Sequence, residues 1–161
     1  MRRTPAILEA IVAGFPLDVV EARPAPDEWS AAEILGHLVE VEDLLFKRVE
    51  SMIESDRAPA WTKPADAARP GVAELLDRWF AARRHTLERL DRLMPADLEH
   101  GAEVRRWGRV SVEQQVCEWA YHDLEHVRQL LVTEEAFLCP SIGGFAGLYP
   151  PPFGTPPRVA S

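Results

Sequence analysis

Apolar residues recur every three or four positions through four stretches of this chain, and that period belongs to the α-helix. The first stretch, Thr4 to Val20, places Ile7, Leu8, Ile11 and Val12 on one side before Gly14-Phe15-Pro16 stops or bends it. A loop, Arg23-Pro24-Ala25-Pro26-Asp27-Glu28, leads to Trp29-Ser30-Ala31-Ala32-Glu33. Here Ser30 is placed to cap a helix, Glu33 to bond back to the cap amide, and Trp29 and Ile34 to close a hydrophobic staple. Glu33 is thereby accounted for as a capping residue, and the helix is predicted to run from about Ala31 to Ser55. A third begins near Gly71, carries Val72, Leu75, Leu76, Trp79, Phe80, Leu87, Leu90 and Leu93, and ends at Met94-Pro95, where proline forbids continuation. Ser111-Val112-Glu113-Gln114 repeats the capping-box spacing and opens the fourth, predicted to reach about Thr133.

Four helical segments without a strand signal predict an all-α four-helix bundle. Its connections at 56–70 and 95–110 are long enough to cross the length of a neighbouring helix, which argues against a simple up-down-up-down arrangement. The bundle is expected over residues 1–135. Beyond Cys139 the composition turns to proline, glycine and aromatics, so residues 136–161 read as an irregular Pro/Gly-rich tail without regular elements. Its Phe145, Tyr149 and Phe153 favour partial docking on the bundle. At 161 residues the chain forms one domain with a core that needs no metal to fold.

Three charges interrupt the apolar faces. Glu42 falls among Ile34, Leu38, Val41, Leu45, Val49 and Met52; Arg83 among Val72, Leu76, Trp79, Leu87 and Leu90; Asp123 among Val112, Val116, Trp119, Val127 and Leu130. A buried charge is costly unless paired, so two acids and one arginine aimed at one interior predict a mutual cluster. The alternative is that bundle geometry lets one or more of them reach solvent.

At the edge of the fourth helix's apolar arc stand His122 and His126, four residues apart and therefore on one face. His37, two turns into the second helix, offers a third imidazole. Three neutral imidazoles with a free coordination position suit a catalytic divalent metal such as zinc. The alternative is histidines satisfied by ordinary hydrogen bonds. A metal-bound imidazole usually donates its other ring proton to a carboxylate or carbonyl, a role open to either Asp123 or Glu42. His85 points away from its helix's apolar arc and His100 lies in a loop beside Glu99, so both are expected in solvent.

The formal net charge of −8, without a lysine-rich run, has the wrong sign for tracking a phosphate backbone, so no nucleic-acid partner is expected. Cys117 and Cys139 form no CxxC pair and, with no signal peptide, predict free thiols in a reducing cytoplasm. Glu9, Gly14, Pro16 and Asp18 break the first apolar stretch, and every later helix carries regular charges, so no membrane span is expected.

The run Trp29 to Leu38, of the form Trp-Ser-x-x-Glu-x-x-x-His-Leu, is followed by Glu42 five residues beyond His37. With Gly108-Arg109-Val110-Ser111, then His122-Asp123-Leu124-Glu125-His126 and Gln129, it resembles the DinB/YfiT-like superfamily of metalloenzymes over about residues 5–133. The resemblance implies a four-helix bundle with long crossovers, frequent homodimerisation, and a divalent metal, commonly zinc or nickel, held by His37, His122 and His126. It also implies small-molecule chemistry. Members of that superfamily include S-transferases using low-molecular-weight thiols such as bacillithiol or mycothiol, a thiol-dependent maleylpyruvate isomerase, and metal-dependent hydrolases. Thiol transfer ranks first among the expectations, metal-dependent hydrolysis second, and a metal-binding bundle without turnover third. The Pro/Gly-rich tail departs from the usual ending of the superfamily.

Overall fold

The computed structural model describes residues 1–60 and 70–149, except the side chains of Leu17 and Asp18. Its helices are α1 (Thr4–Gly14), α2 (Leu17–Val20), α3 (Ala31–Ser55), α4 (Val72–Leu90), α5 (Pro95–Glu99) and α6 (Val112–Leu138). Strands β1 (Gly101–Val104) and β2 (Gly108–Ser111) form an antiparallel hairpin between α5 and α6. Both capping boxes form. The Ser30 hydroxyl accepts from the Glu33 amide at 3.2 Å while the Glu33 carboxylate accepts from the Ser30 amide at 3.0 Å. Ser111 and Gln114 repeat the exchange at the start of α6, at 3.1 and 2.9 Å.

Pairings between helices give the bundle its direction. Glu42 meets Arg83 and Glu50 meets Arg89, so α3 and α4 run parallel. Thr4 meets Asp123 and Gly14 lies near Glu134, so α1 and α6 also run parallel. Arg83 meets Asp123, whereas Arg89 pairs with Glu50, at the end of α3 remote from the His37–His122 contact. The order is therefore up (α1), down (α3), down (α4), up (α6). Two consecutive parallel helices put Ser55 and Val72 at opposite ends of the bundle; residues 61–69 between them lie outside the described residues.

The core is built from the expected faces. Leu8, Phe15, Ile34, Leu38, Trp79 and Leu130 form one buried cluster, and Val49, Met52, Ala102 and Val112 a second towards the hairpin. Burying a large aliphatic or aromatic side chain contributes about 1.5–3 kcal/mol, so these two clusters outweigh any single surface contact. Among the described residues no helix is long and apolar enough to cross a membrane.

Three features differ from the expectation. The connection at 95–110, expected as a long loop without strands, contains α5 and the hairpin. The hairpin depends on Gly101, because a Cβ there would lie 2.5 Å from the Val110 carbonyl oxygen, and on Gly108, which turns the chain at φ 72°. In addition, α6 continues to Leu138, and Cys139–Leu148 forms 3-10 turns rather than irregular chain. Phe145 and Tyr149 are exposed, so the expected docking of the tail does not occur at those rings; Phe153 lies outside the described residues.

Candidate metal centre

His37 faces α6 from the second turn of α3, and His122 and His126 face it from successive turns of α6. The Nε2 atoms of His37 and His122 lie 3.2 Å apart, and those of His122 and His126 lie 3.1 Å apart. One ligand atom from each of the three lies within 4.8 Å of the others. Ring nitrogens bound at about 2.0–2.1 Å to a tetrahedral ion stand roughly 3.3 Å from one another. The observed spacing is close to that.

The donor set also fits a cation on chemical grounds. Burial, reinforced by the neighbouring imidazoles, pushes His37 down to about 4. Burial likewise pushes His122 down to about 4, with His126 and Arg83 adding to the effect and Asp123 opposing it. His126 is lowered too, mainly by burial, against an opposing hydrogen bond to Gln129. All three are thus neutral at pH 7, the state in which imidazole is a ligand. Gln129 Oε1 stands 2.9 Å from His126 Nδ1 and can only accept there, which puts the proton on Nδ1 and leaves the Nε2 lone pair aimed at the other two rings. Three neutral ring nitrogens facing one another satisfy few hydrogen bonds among themselves, whereas one cation accepts all three lone pairs. Trp29 closes the outer side, its ring stacked over His126 at 6.3 Å and tilted against His37 at 5.1 Å.

Beneath the histidines lies a buried ionic triad. Arg83 donates from Nε to Glu42 Oε1 at 2.8 Å and from Nη2 to Glu42 Oε2 at 2.7 Å. It also donates from Nη2 to Asp123 Oδ1 at 2.8 Å and from Nη1 to Asp123 Oδ2. Thr4 Oγ1 adds a bond to Asp123 Oδ2 at 3.0 Å, and Trp79 lies against the guanidinium, 4.6 Å from its ring centre. Burial opposes the charge on Arg83, but the bonds and charges of Asp123 and Glu42 outweigh it and hold the group protonated beyond its usual range. The triad carries a net charge of −1, a favourable background for a cation one helical position away.

The geometry departs from the expected partners of the imidazoles. Neither Glu42 nor Asp123 is hydrogen-bonded to an imidazole among the described residues; both are engaged by Arg83. The partner of His126 is Gln129, and His122 Nδ1 is buried without one. Trp29 covers the histidines, a contact that its reading as a helix staple did not anticipate. His85 and His100 stand apart from the site, His85 exposed against Phe46 and His100 facing Asp56 at 3.7 Å.

A cavity of about 600 Å³ opens beside the histidines, between α3, α6 and the hairpin. His37 and His122 line one end, with Glu118 one turn from His122 on the same face of α6. Arg48, Trp107 and Arg109 line it as well, and none of these was singled out for a site from the sequence.

The sequence model of the DinB superfamily matches residues 1–130. The chain belongs to the DinB superfamily. Among solved structures it is similar to YfiT from Bacillus subtilis, with a TM-score of 0.73 and 11% sequence identity, over 84% of this chain and 82% of that one. YfiT is described as a probable metal-dependent hydrolase with an unusual four-helix bundle topology. At that identity the likeness shows the fold. No curated protein matches the chain.

Proposed function

We propose that this DinB-superfamily protein is a metal-dependent enzyme in which His37, His122 and His126 hold one divalent ion, zinc or nickel, for thiol S-transfer between small molecules. The observation that carries the choice is the engagement of Glu42 and Asp123 by Arg83. Hydrolysis asks for a general base beside the attacking water, and these two carboxylates are committed elsewhere. A thiol needs less help, because a bound divalent metal lowers the pKa of a thiol and makes thiolate available at neutral pH.

The chain's own residues then have distinct tasks. His37 and His122 line the cavity as well as facing His126, so an ion held by the three would be open to a ligand from the cavity side. Gln129 fixes the ring of His126, and Trp29 shields the outer face from water. The apolar wall from Val41, Leu44 and Leu45 shelters the reacting groups. A low-molecular-weight thiol of the bacillithiol or mycothiol kind would be the cosubstrate, and an electrophilic small molecule the acceptor.

Metal-dependent hydrolysis is the second reading. It is favoured by Glu118, which lines the cavity one turn from His122: only its Oε2 accepts a bond, from Gln115 at 3.0 Å, and among the described residues it meets no cation, so its carboxylate stays available as a base at the open side. Cobalt substitution separates the two. Thiol transfer predicts a sulfur-to-metal charge-transfer band and proton release on adding thiol, together with thiol-dependent consumption of an aryl halide. Hydrolysis predicts neither, but ester cleavage that rises with pH and is lost in Glu118→Gln.

A further inference from the structure

The cavity is electrically lopsided. Its histidine end carries neutral imidazoles and the carboxylate Glu118, while Arg48 of α3 and Arg109 of β2 lie beyond a wall of leucine and valine. Arg48 Nε is buried without a hydrogen-bond partner, and Arg48 has no ion pair among the described residues. A buried donor left unmade is costly, and a guanidinium facing a largely apolar cavity lacks the acceptor that its planar fork is shaped for. Arg109 faces Glu103 across the hairpin, which leaves it the lesser of the two cations. Eleven residues of α3 separate His37 from Arg48, about 16 Å of helix, and side chains lean towards the helix N-terminus, so the arginine reaches back towards the histidines.

We infer that the cavity takes an elongated, mostly apolar small molecule bearing an oxyanion, carboxylate or phosphate, that Arg48 binds with support from Arg109 while its other end reaches the three histidines. This rests on the metal-centre reading above and adds the substrate's chemical class. A molecule of this shape would span roughly 10–12 Å, close to the eight residues of α6 between Gln114 and His122 at about 1.5 Å each. The apolar wall sets its middle, and the arginine fork sets its length by fixing one end.

Calorimetric titration of the zinc-loaded protein with ω-mercaptoalkanoic acids of about 3 to 11 carbons, matched ω-mercaptoalkanols and ω-mercaptoalkylphosphonates tests this. A charged hydrogen bond is worth about 1.5–3 kcal/mol, so an oxyanion of the right length should bind about tenfold or more tighter than its alcohol. Short acids should gain nothing. Arg48→Met should erase the advantage by weakening the acid far more than the alcohol, Arg48→Lys should retain part of it, and the tighter of acid and phosphonate names the oxyanion. Equal affinities for acid and alcohol at every length, or an Arg48→Met loss shared equally by both, would overturn the inference while leaving the thiol reading standing. If no thiol binds, the thiol reading fails. The inference is then decided by decanoate and decylphosphonate on the metal-free protein, where Arg48-dependent binding of either supports it and binding of neither overturns it.

Discussion

Arg83 and Glu42 meet side-on across α3 and α4, two nitrogens to two oxygens at 2.8 and 2.7 Å, with each side chain 1% exposed. This geometry joins two parallel helices at the level of the metal centre. The same guanidinium holds Asp123, next to His122, and so ties α3 to α6 where His37 stands opposite His122.

Arg83→Met should therefore be severe. It leaves two carboxylates in the interior without a counter-ion, and breaking a buried pair from one side typically costs about 3–5 kcal/mol, against about 1 or less for an exposed pair. Urea unfolding should show a midpoint far below that of the parent. A matching midpoint would mean that the triad contributes no stability.

Gln129→Leu keeps the size of the side chain and removes the acceptor at His126 Nδ1. Loss of such an outer partner commonly weakens metal binding about 10–100-fold. Competition with a zinc chelator should report that drop at unchanged far-ultraviolet dichroism, and Gln129→Glu should recover affinity because its carboxylate accepts the same proton.

The metal-free protein should lose stability on acidification through the histidine range. Because the folded-state values of His37 and His122 are held down at about 4 while the unfolded chain titrates near the ordinary 6.5, the unfolded state binds more protons between those limits. Their contribution is complete above about 6.5, falls as pH drops, and levels off below about 4. Thermal unfolding of parent and a His37→Gln/His122→Gln double variant across that range should show the parent falling more steeply; parallel curves would contradict the shifts.

Gly101→Ala should disturb the hairpin, since the new methyl carbon would lie 2.5 Å from the Val110 carbonyl oxygen. Overpacking of this kind costs about 1–3 kcal/mol, visible as a lowered unfolding temperature; an unchanged temperature would contradict the contact.

Much of the framework is legible in the chain because it is local. Ser30 with Glu33 and Ser111 with Gln114 start their helices by contacts three residues apart, and helical periodicity alone singles out Glu42, Arg83 and Asp123 as charges on apolar faces. The i,i+4 spacing of His122 and His126 is legible for the same reason. Long-range relations are harder to read. The hairpin has only four-residue strands, its charges Glu103, Arg105, Arg106 and Arg109 blur the alternation, and the need for glycine at 101 arises from an approach to Val110. Gln129 was within reach, since three residues after His126 is a helical neighbour. Arg48 and Arg109 share a cavity although 61 positions separate them, and no local pattern announces that.

The central claim is that three imidazoles from two helices hold one divalent ion, and metal content measures it directly. Protein purified without a histidine tag, exchanged into metal-free buffer after loading with zinc, should retain close to one equivalent. His37→Ala, His122→Ala and His126→Ala, each shown to remain folded by circular dichroism, should each lose most of it, while His85→Ala, outside the site, should retain it. Equal zinc in the parent and the three site variants would contradict the account.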